Sequence, residues 1–262
     1  MTETPLDAAH AAMEAAPDDD SARLRFYERL ADSELVLMLS AEPVGRDINP
    51  EIFEIGDARF VLAFDLEERL SGFAGRAVPY AALSGRGLAG MLAGQGIGLA
   101  LNIEVAPSAI LLPPEALAWL RETLDHGPAE AEATPREISA PRGLPDTLLS
   151  ALDTKLSTAA GLARKAYLAA VIYDDGSRGH LLAFSGTQPG AEGALARAMN
   201  EALVFSGLEA GALDVAFLPD NSPLLAELAR HALRFDLPET ERPGRIEPIA
   251  PGSDPDRPPK LR

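Results

Sequence analysis

A glycine-rich segment is the most recognisable candidate for chemistry in this chain. Gly85, Gly87 and Gly90 have the G-x-G-x-x-G spacing, which in dinucleotide-binding proteins lets the backbone approach a pyrophosphate at a helix N-terminus. Such a site also needs to lie at the first strand-to-helix turn and to have an acidic residue about 20 positions later, and this segment meets neither requirement. We therefore interpret the glycines as a helix start packed closely on its neighbours. The alternative hypothesis is that Ser84 and Arg86 bind an anion at this helix start.

Asn102 has the most informative position of the polar residues, because it comes at the end of an apolar run (residues 97–101). A buried Asn must satisfy both its amide and its carbonyl group, and it does so most often by tying down a nearby loop. We predict this structural role for Asn102, and contact with a ligand is the alternative. The candidate binding residues are thus Ser84, Arg86 and Asn102.

We find no other constellation in the sequence that supports catalysis or metal binding, and we interpret the paired carboxylates Glu67-Glu68 and Asp174-Asp175 as a helix start and a hairpin loop. Cysteine is absent, which excludes disulfides, thiolate chemistry and the usual structural zinc sites. No G-x-S-x-G nucleophile motif is present. The histidines fall in separate segments without metal-ligand spacing, at positions His10, His126, His180 and His231. We predict no catalytic residue, no metal site and no cofactor.

The charge of the chain limits the classes of partner. The formal net charge is −17, and residues 1–124 alone hold 20 acidic and 9 basic side chains. A negative field repels phosphate backbones and anionic lipids, so neither nucleic acid nor a membrane surface is expected as a partner. No apolar run is long enough to span a bilayer. The acidic first 20 residues do not have the pattern of a signal peptide, and we expect a cytoplasmic protein.

The first half of the chain predicts helices and strands that alternate irregularly. The strand at residues 97–104 is the central element, because small residues (Gly98, Ala100) between its large ones allow close packing on both faces. The helix that follows begins at Pro113-Pro114, where a missing backbone N–H costs nothing. Hydrophobic periodicity and turn residues predict further helices at 6–16, 18–30 and 84–93, strands at 34–40 and 77–83, and a hairpin around Gly56-Asp57.

The second half predicts a smaller unit. Residues 125–145 contain four prolines and no periodicity, which is typical of a linker or an extended edge. The pattern after this segment predicts a helix from Asp146, followed by two strands at 165–173 and 180–184 that a 174–179 loop joins. It then predicts a helix at 189–205, a strand at 213–218 and a helix at 222–233. This order predicts a small sandwich with its helices on one face.

The predicted fold class is α+β, with two small α/β sandwich domains, each a mixed sheet with packed helices, and a Pro-rich C-terminal tail. The predicted domains are residues 1–124 and 146–235. The predicted linker is residues 125–145. The tail, residues 236–262, is expected to be extended or disordered, since proline and charge dominate it without an apolar period.

Four segments of the first half resemble the N-terminal domain of the SseB family. They are VPYAAL (78–83), RGLA (86–89), GLALN (98–102) and LPPEAL (112–117). The family, named for a bacterial protein that enhances serine sensitivity when overproduced, typically has a strand ending in Leu-Asn-Pro, and here Ile103 replaces that proline. The resemblance covers residues 20–124 and extends more loosely to a two-domain plan. It implies no established catalytic residues.

Two functions follow from these observations as hypotheses. The first is a non-enzymatic interaction or regulatory protein that binds an unidentified protein partner, and the resemblance implies a link to serine sensitivity and to sulfur or amino-acid metabolism. The second is a binding protein or enzyme for a small anion or metabolite. Its site would lie at the domain junction, built from Arg86, Asn102 and the 174–179 loop. The sequence does not determine the oligomeric state.

Overall fold

The computed structural model describes residues 3–45, 47–126, 134–208 and 213–238. In this part of the chain, eight helices accompany two mixed β-sheets, one in each half. The predicted fold class, α+β with two mixed sheets and packed helices, is confirmed. The tail that we predicted to be extended lies, from residue 239 onward, outside the described residues.

The elements of the first half lie close to their predicted positions. In chain order they are α1 (Pro5–Ala15), α2 (Asp20–Asp32), β1 (Glu34–Met38), β2 (Ile52–Ile55), β3 (Ala58–Phe64), α3 (Glu67–Ala74), β4 (Tyr80–Ser84), α4 (Gly85–Leu92), β5 (Gly98–Leu101), β6 (Ile110–Leu112) and α5 (Pro114–Asp125). The predicted hairpin is formed by β2 and β3. Gly56 supplies the positive φ of +64° that its two-residue turn requires.

The first sheet has the strand order β4-β1-β3-β5-β6, and β2 pairs with β3 next to β1. β3 and β5 run parallel, whereas the other neighbouring pairs are antiparallel. The register places Leu62 beside Ala100, and Ala100 beside Leu111. Residues that share such a row point to the same face of the sheet.

β5 is an interior strand, as its small and large residues predicted, and all four of its residues are buried. Leu99 and Leu101 belong to the larger core of the first half, to which α1, α2, α4 and α5 also contribute. Ala100 belongs to a smaller core on the opposite face, against α3. The helix that begins at the prolines therefore covers the leucine side of β5, and α3 lies over the alanine side.

Gly98 is required by a close contact within the sheet. A Cβ built at this position would lie 2.5 Å from Cε1 of Phe60 and 2.6 Å from the carbonyl oxygen of Leu112. The Phe60 ring thus occupies the space that a side chain at position 98 would need.

The second half contains α6 (Asp146–Thr158), α7 (Glu192–Phe205) and α8 (Pro223–His231) with five strands. The strands are β7 (Pro135–Ser139), β8 (Lys165–Tyr173), β9 (Arg178–Ser185), β10 (Asp214–Leu218) and β11 (Leu233–Asp236). Their order in the sheet is β10-β9-β8-β11, and β7 pairs with β8. β9 and β10 are parallel, and their neighbours are antiparallel.

Three details of the second half differ from the prediction. The helices do not all lie on one face: α6 and α7 cover one side of the sheet, and Leu228 of α8 packs on the other. Residues 135–139, inside the predicted linker, form the edge strand β7, which corresponds to the extended-edge alternative. β11 was missed, because a four-residue strand directly after a helix is too short to show a period of its own.

Replacement of Gly98 by alanine tests the packing of β5. We expect Gly98→Ala to lower the free energy of unfolding by about 2–4 kcal/mol, because the new methyl group overlaps a backbone oxygen that cannot move away. Gly193→Ala is the matched control, since a Cβ on this helical glycine meets nothing within 4 Å. It should leave stability unchanged or raise it by up to about 1 kcal/mol. Urea unfolding measures both, and equal stabilities would contradict the close contact.

Candidate functional site

Ser84 and the glycines after it build a helix start that is packed against α2. The Ser84 hydroxyl accepts a hydrogen bond from the Gly87 N–H (3.2 Å) and so caps α4. The Gly85 N–H donates to the Ser33 carbonyl (2.8 Å), and a Cβ on Gly85 would lie 1.8 Å from the Leu30 carbonyl oxygen. Packing of helix on helix therefore explains the first glycine of the motif, in agreement with our interpretation from the sequence.

Arg86, the second candidate residue, links the two halves of the chain. Its Nη1 donates to Oε1 of Glu201 (2.9 Å), and its Nη2 donates to Oε2 of Glu201 (3.1 Å) and to Oδ1 of Asp32 (2.6 Å). Glu201 lies on α7 of the second half, whereas Asp32 ends α2 of the first. The guanidinium that could have bound an external anion is thus already paired with two carboxylates of the protein itself.

Lys155 on α6 meets the same two carboxylates from the other side. Its Nζ donates to Oδ2 of Asp32 (2.6 Å) and to Oε2 of Glu201 (2.9 Å), and it lies 3.5 Å from Oε1 of Glu28. The side chain is only 4% exposed. Burial lowers the pKa of this amine, but the surrounding carboxylates outweigh burial and raise the pKa above its ordinary value. Lys155 therefore stays charged.

These five side chains form what we call the junction cluster: Glu28, Asp32, Arg86, Lys155 and Glu201. Glu28 is the member of the cluster whose charged form is least stabilised by its surroundings. Its Oε1 is buried and accepts no hydrogen bond. The pKa of Glu28 is raised to about 7, mainly by burial and also by the nearby charge of Asp32, although the charge of Lys155 acts in the opposite direction. With Glu28 protonated, two cations face two anions.

Apolar contacts extend the junction beyond the cluster. Phe205 of α7 belongs to the larger core of the first half. The ring of Trp119 on α5 packs edge-to-face on Phe205 and on Tyr27, with centroid distances of 6.5 and 5.0 Å. The Asn200 side-chain amide donates to the carbonyl of His126 (2.9 Å). Phe205 thus joins α7 to the apolar core of the first half, beside the ionic cluster.

Asn102, the third candidate residue, lies in a different network. It is fully buried and has a φ of +50°, a conformation that Asn tolerates better than most residues. Its Oδ1 accepts from the Asp65 N–H (3.1 Å), and its Nδ2 donates to the Ser108 hydroxyl (2.8 Å). These bonds hold the loop between β5 and β6 against the end of β3, which is the structural role that we predicted.

The same network contains a second buried ion pair. Ser108 donates to Oδ1 of Asp7 (2.5 Å), and the Arg69 guanidinium binds Asp7 and, at 2.7 Å, Asp65. Burial favours the neutral form of Asp7, but the hydrogen bonds from Arg69, Ser108 and Thr4 outweigh it and hold the pKa of Asp7 well below its usual range. Its contribution to stability is present above the ordinary pKa of 3.8 and is lost as the pH falls further.

Several of these residues were missed from the sequence although signals for some existed. Thr4 and Asp7 have the spacing of a capping box, in which both side chains cap α1 reciprocally. Lys155 is one of only three lysines and lies on the same helical stripe as Leu148 and Leu152. A lysine on an apolar stripe indicates a buried cation. Nothing in the sequence indicated that Glu201 would be its partner.

The site that we predicted at the domain junction is not assembled as expected. Arg86 does lie at the junction, whereas Asn102 is bound to Asp65 and Ser108. The 174–179 loop closes the β8–β9 hairpin, where Asp175 accepts hydrogen bonds from the N–H and the hydroxyl of Ser177 (2.8 and 2.6 Å). The three have different hydrogen-bond partners in the described part of the chain, and ligand binding by Ser84, Arg86 and Asn102 stays a prediction.

Two surface cavities lie away from the candidate residues. One, of about 400 Å³, lies beside α5 and is lined by Ala93, Ala118, Arg121, Glu122, Asp125 and His126. The other, of about 320 Å³, lies at the carboxyl ends of β9 and β10 and is lined by Gly186, Thr187, Glu192, Phe217, Leu218, Pro219 and Asp220. Among the described residues, no three His, Asp or Glu side chains converge on a point where a metal ion could bind.

Comparison with known proteins identifies the first half. Residues 6–119 match the family model described as SseB protein N-terminal domain. No curated protein and no solved structure matches the chain significantly. Among the helices of the described residues, none has the length and apolar composition to cross a membrane.

Substitution of Asn102 tests the role of the buried network. We expect Asn102→Ala to lower the free energy of unfolding by about 2–4 kcal/mol, because it leaves the Asp65 N–H and the Ser108 hydroxyl without this partner inside the protein. Asn200→Ala is the matched control: its single bond, to the His126 carbonyl, is exposed to solvent, and it should cost less than about 1 kcal/mol. Thermal and urea unfolding measure both changes, and a stable Asn102→Ala protein would show that the network is dispensable.

Substitution of Glu28 tests the junction cluster by its pH dependence. The folded protein holds a proton on Glu28 up to a pKa of about 7, against 4.5 when unfolded. This residue therefore lowers stability as the pH rises from 4.5 to 7, by at most about 1.4 kcal/mol per pH unit. The charged groups that face it are Asp32, Arg29, Lys155 and, through the cluster, Arg86 and Glu201. Glu28→Gln removes the titration, so the variant should gain stability relative to the wild type as the pH rises.

Urea unfolding between pH 5 and 8, followed by the fluorescence of the single tryptophan, Trp119, measures this difference. Glu115→Gln, an exposed carboxylate on α5, serves as the control. A wild-type-to-Glu28→Gln difference that stays constant over the range would contradict the raised pKa.

Proposed function

We propose, from the premise that residues 6–119 of this chain form an SseB N-terminal domain, that the protein is a non-enzymatic interaction or regulatory protein. It binds a partner protein in the cytoplasm and acts near serine sensitivity and sulfur or amino-acid metabolism, as resemblance to the SseB family implies. The single observation that carries the proposal is the use of the ionisable groups in the two networks: the buried Asp7, Arg69, Lys155 and Glu201 and the partly exposed Arg86 all bond to other protein groups.

Catalysis depends on polar groups that reach a substrate with an unsatisfied donor, acceptor or charge. In both networks those valences are taken up by scaffolding contacts across the first half and across the junction, with the exception of Glu28 Oε1. The two cavities are lined by a mixture of acidic, small and apolar residues, with one arginine and one histidine in the first and one threonine in the second. Such an arrangement supports a rigid binding surface better than a reaction centre.

The negative net charge of the molecule supports a basic protein as the partner. A chain with a net charge of −17 attracts a basic protein over long range and repels nucleic acid and anionic lipid. The rigid junction also supports binding, because a partner that engages a preformed surface has little conformational entropy to remove.

The alternative, a binding protein for a small anion or metabolite at the junction, has less support. Arg86, the residue that would bind the anion, already donates hydrogen bonds to Asp32 and Glu201. A second anion would have to displace a carboxylate that neutralises Lys155 as well. A ligand-dependent rise in melting temperature in a metabolite screen, abolished by Arg86→Ala, would favour this alternative.

Affinity capture with the full chain as bait tests the proposed function. We expect one stoichiometric protein from an extract of the source cells, retained at about 0.15 M salt and released at about 1 M, because screening weakens attraction between opposite charges. The partner, purified separately, should bind with a dissociation constant that calorimetry can measure. Failure to recover a stoichiometric partner over a range of extracts and salt concentrations would contradict the proposal.

A further inference from the structure

Two neighbouring strands of the second sheet send the chain to opposite faces of that sheet. β9 and β10 lie side by side and are parallel. After β9 the chain enters α7, which packs on the face that Leu182 and Phe184 share. After β10 it enters α8, whose Leu228 packs on the face of Leu181 and Ala183. Where the connections of two neighbouring parallel strands diverge in this way, a crevice forms outside their carboxyl ends, and ligands of open α/β sheets bind in such crevices.

The cavity of about 320 Å³ lies in this crevice. Its lining comes from three segments: residues 186–187 directly after β9, Glu192 in the first turn of α7, and residues 217–220 at the end of β10 and just beyond it. The Arg164 side chain lies against the first of these segments and forms an ion pair with Asp220 in the last. Arg164 therefore holds the two loops that follow the parallel strands in place around the cavity.

Polar groups beside the cavity lack partners in the part of the chain that the structure describes. The hydroxyl oxygen of Thr187 is buried and makes no hydrogen bond. The half-buried carboxylate of Glu192 has neither a hydrogen bond nor an ion pair. α7 begins without a side-chain cap, and the backbone N–H groups of residues 192–194 reach no described acceptor. A free carboxylate and free N–H donors therefore lie within one helical turn of each other.

These groups are complementary to a small ligand that carries both signs of charge. N–H groups at a helix start favour a carboxylate, and the Glu192 carboxylate favours an ammonium group. Asp220 adds little negative charge, because Arg164 pairs with it. The ring of Phe217 and the side chain of Pro219 give the cavity an apolar wall as well. The volume is at the lower end of the range for small-molecule sites. A free α-amino acid combines these features.

We propose that this crevice binds a free α-amino acid with a small apolar side chain. The α-carboxylate accepts hydrogen bonds from the N–H groups at the start of α7, and the side chain packs on Phe217. The α-ammonium group donates to Glu192 and, after a change of rotamer, to the Thr187 hydroxyl, which gains the partner that it lacks in the free protein. The site lies outside the SseB domain of residues 6–119. It goes beyond the proposed protein binding, and neither proposal depends on the other.

Two-dimensional NMR of the isotope-labelled full chain tests the site with L-alanine, L-valine and L-leucine as probes. We expect saturable shifts of the amide signals of Gly186, Thr187 and Glu192, with a dissociation constant between about 1 μM and 1 mM. The matched probes are isobutylamine and isovalerate, which are valine without its carboxylate and valine without its ammonium group. Each should bind at least about tenfold more weakly than L-valine, because each leaves one set of protein groups unpaired.

Two variants assign the binding to named side chains. Glu192→Gln should weaken the binding of L-valine at least about tenfold, whereas Glu115→Gln, which changes the first-turn glutamate of α5, should bind within about twofold of the wild type. Thr187→Val should weaken the binding at least about threefold. It should also leave the melting temperature unchanged or raise it, because it removes a buried hydroxyl that has no partner in the free protein. A purely structural role of Thr187 predicts a lower melting temperature instead.

Several results would overturn the proposal. These are the absence of saturable shifts with all three amino acids, shifts confined to residues away from the cavity, and equal binding of L-valine by the two glutamate variants. Binding of isobutylamine as tight as that of L-valine would assign the cavity to simple amines, and equally tight binding of isovalerate would assign it to anions. Either result would overturn the amino acid as the ligand, and both would leave the proposed protein partner untouched.

Discussion

The arrangement of the two halves depends on an ionic cluster in which each cation bonds to one carboxylate from either half. Removing an ammonium or guanidinium group from water costs several kcal/mol, and the cost is recovered only when carboxylates lie at hydrogen-bond distance. Lys155 has Glu201 within its own half, but Asp32 comes from the first. Arg86 has Asp32 within its own half, and Glu201 comes from the second. Each half thus supplies one cation and one of the shared anions, and separating the halves would remove one carboxylate partner from each cation. The apolar contact of Phe205 with the core of the first half acts in the same direction.

The same physical constraint applies to the other buried polar groups of the described residues. Asp7 joins α1 to Arg69 of α3, and Asn102 joins the β5–β6 loop to the end of β3. In each case a polar side chain fixes the relative position of two elements that hydrophobic packing alone would leave free to slide. Fully satisfied hydrogen-bonded groups of this kind add specificity to a fold. Glu28 is the exception: its buried oxygen accepts no hydrogen bond, and the cluster accommodates it by favouring the protonated form.

The two faces of the first sheet are covered by different elements. One face is occupied by four helices and, through α7, by the second half. On the other face, α3 and side chains from β2 and the neighbouring loops pack against the smaller core. The sheet residues of both cores are buried as a result.

The sequence by itself determined the element order, the interior position of β5 and the family of the first half. These depend on local signals: small residues between large ones, prolines at the start of α5, a Gly-Asp turn in the β2–β3 hairpin, and motifs of the SseB domain. It also predicted the packing role of Gly85 and the structural role of Asn102. The sequence did not show β11, the packing of α8 on the other face of the second sheet, or the partners of Arg86 and Lys155. Glu201 lies 115 residues from Arg86 and carries no local pattern. Only the packing of α2, α4, α6 and α7 brings these side chains together, because ion pairing depends on distance in space, and hydrophobic periodicity does not record which helix will face which.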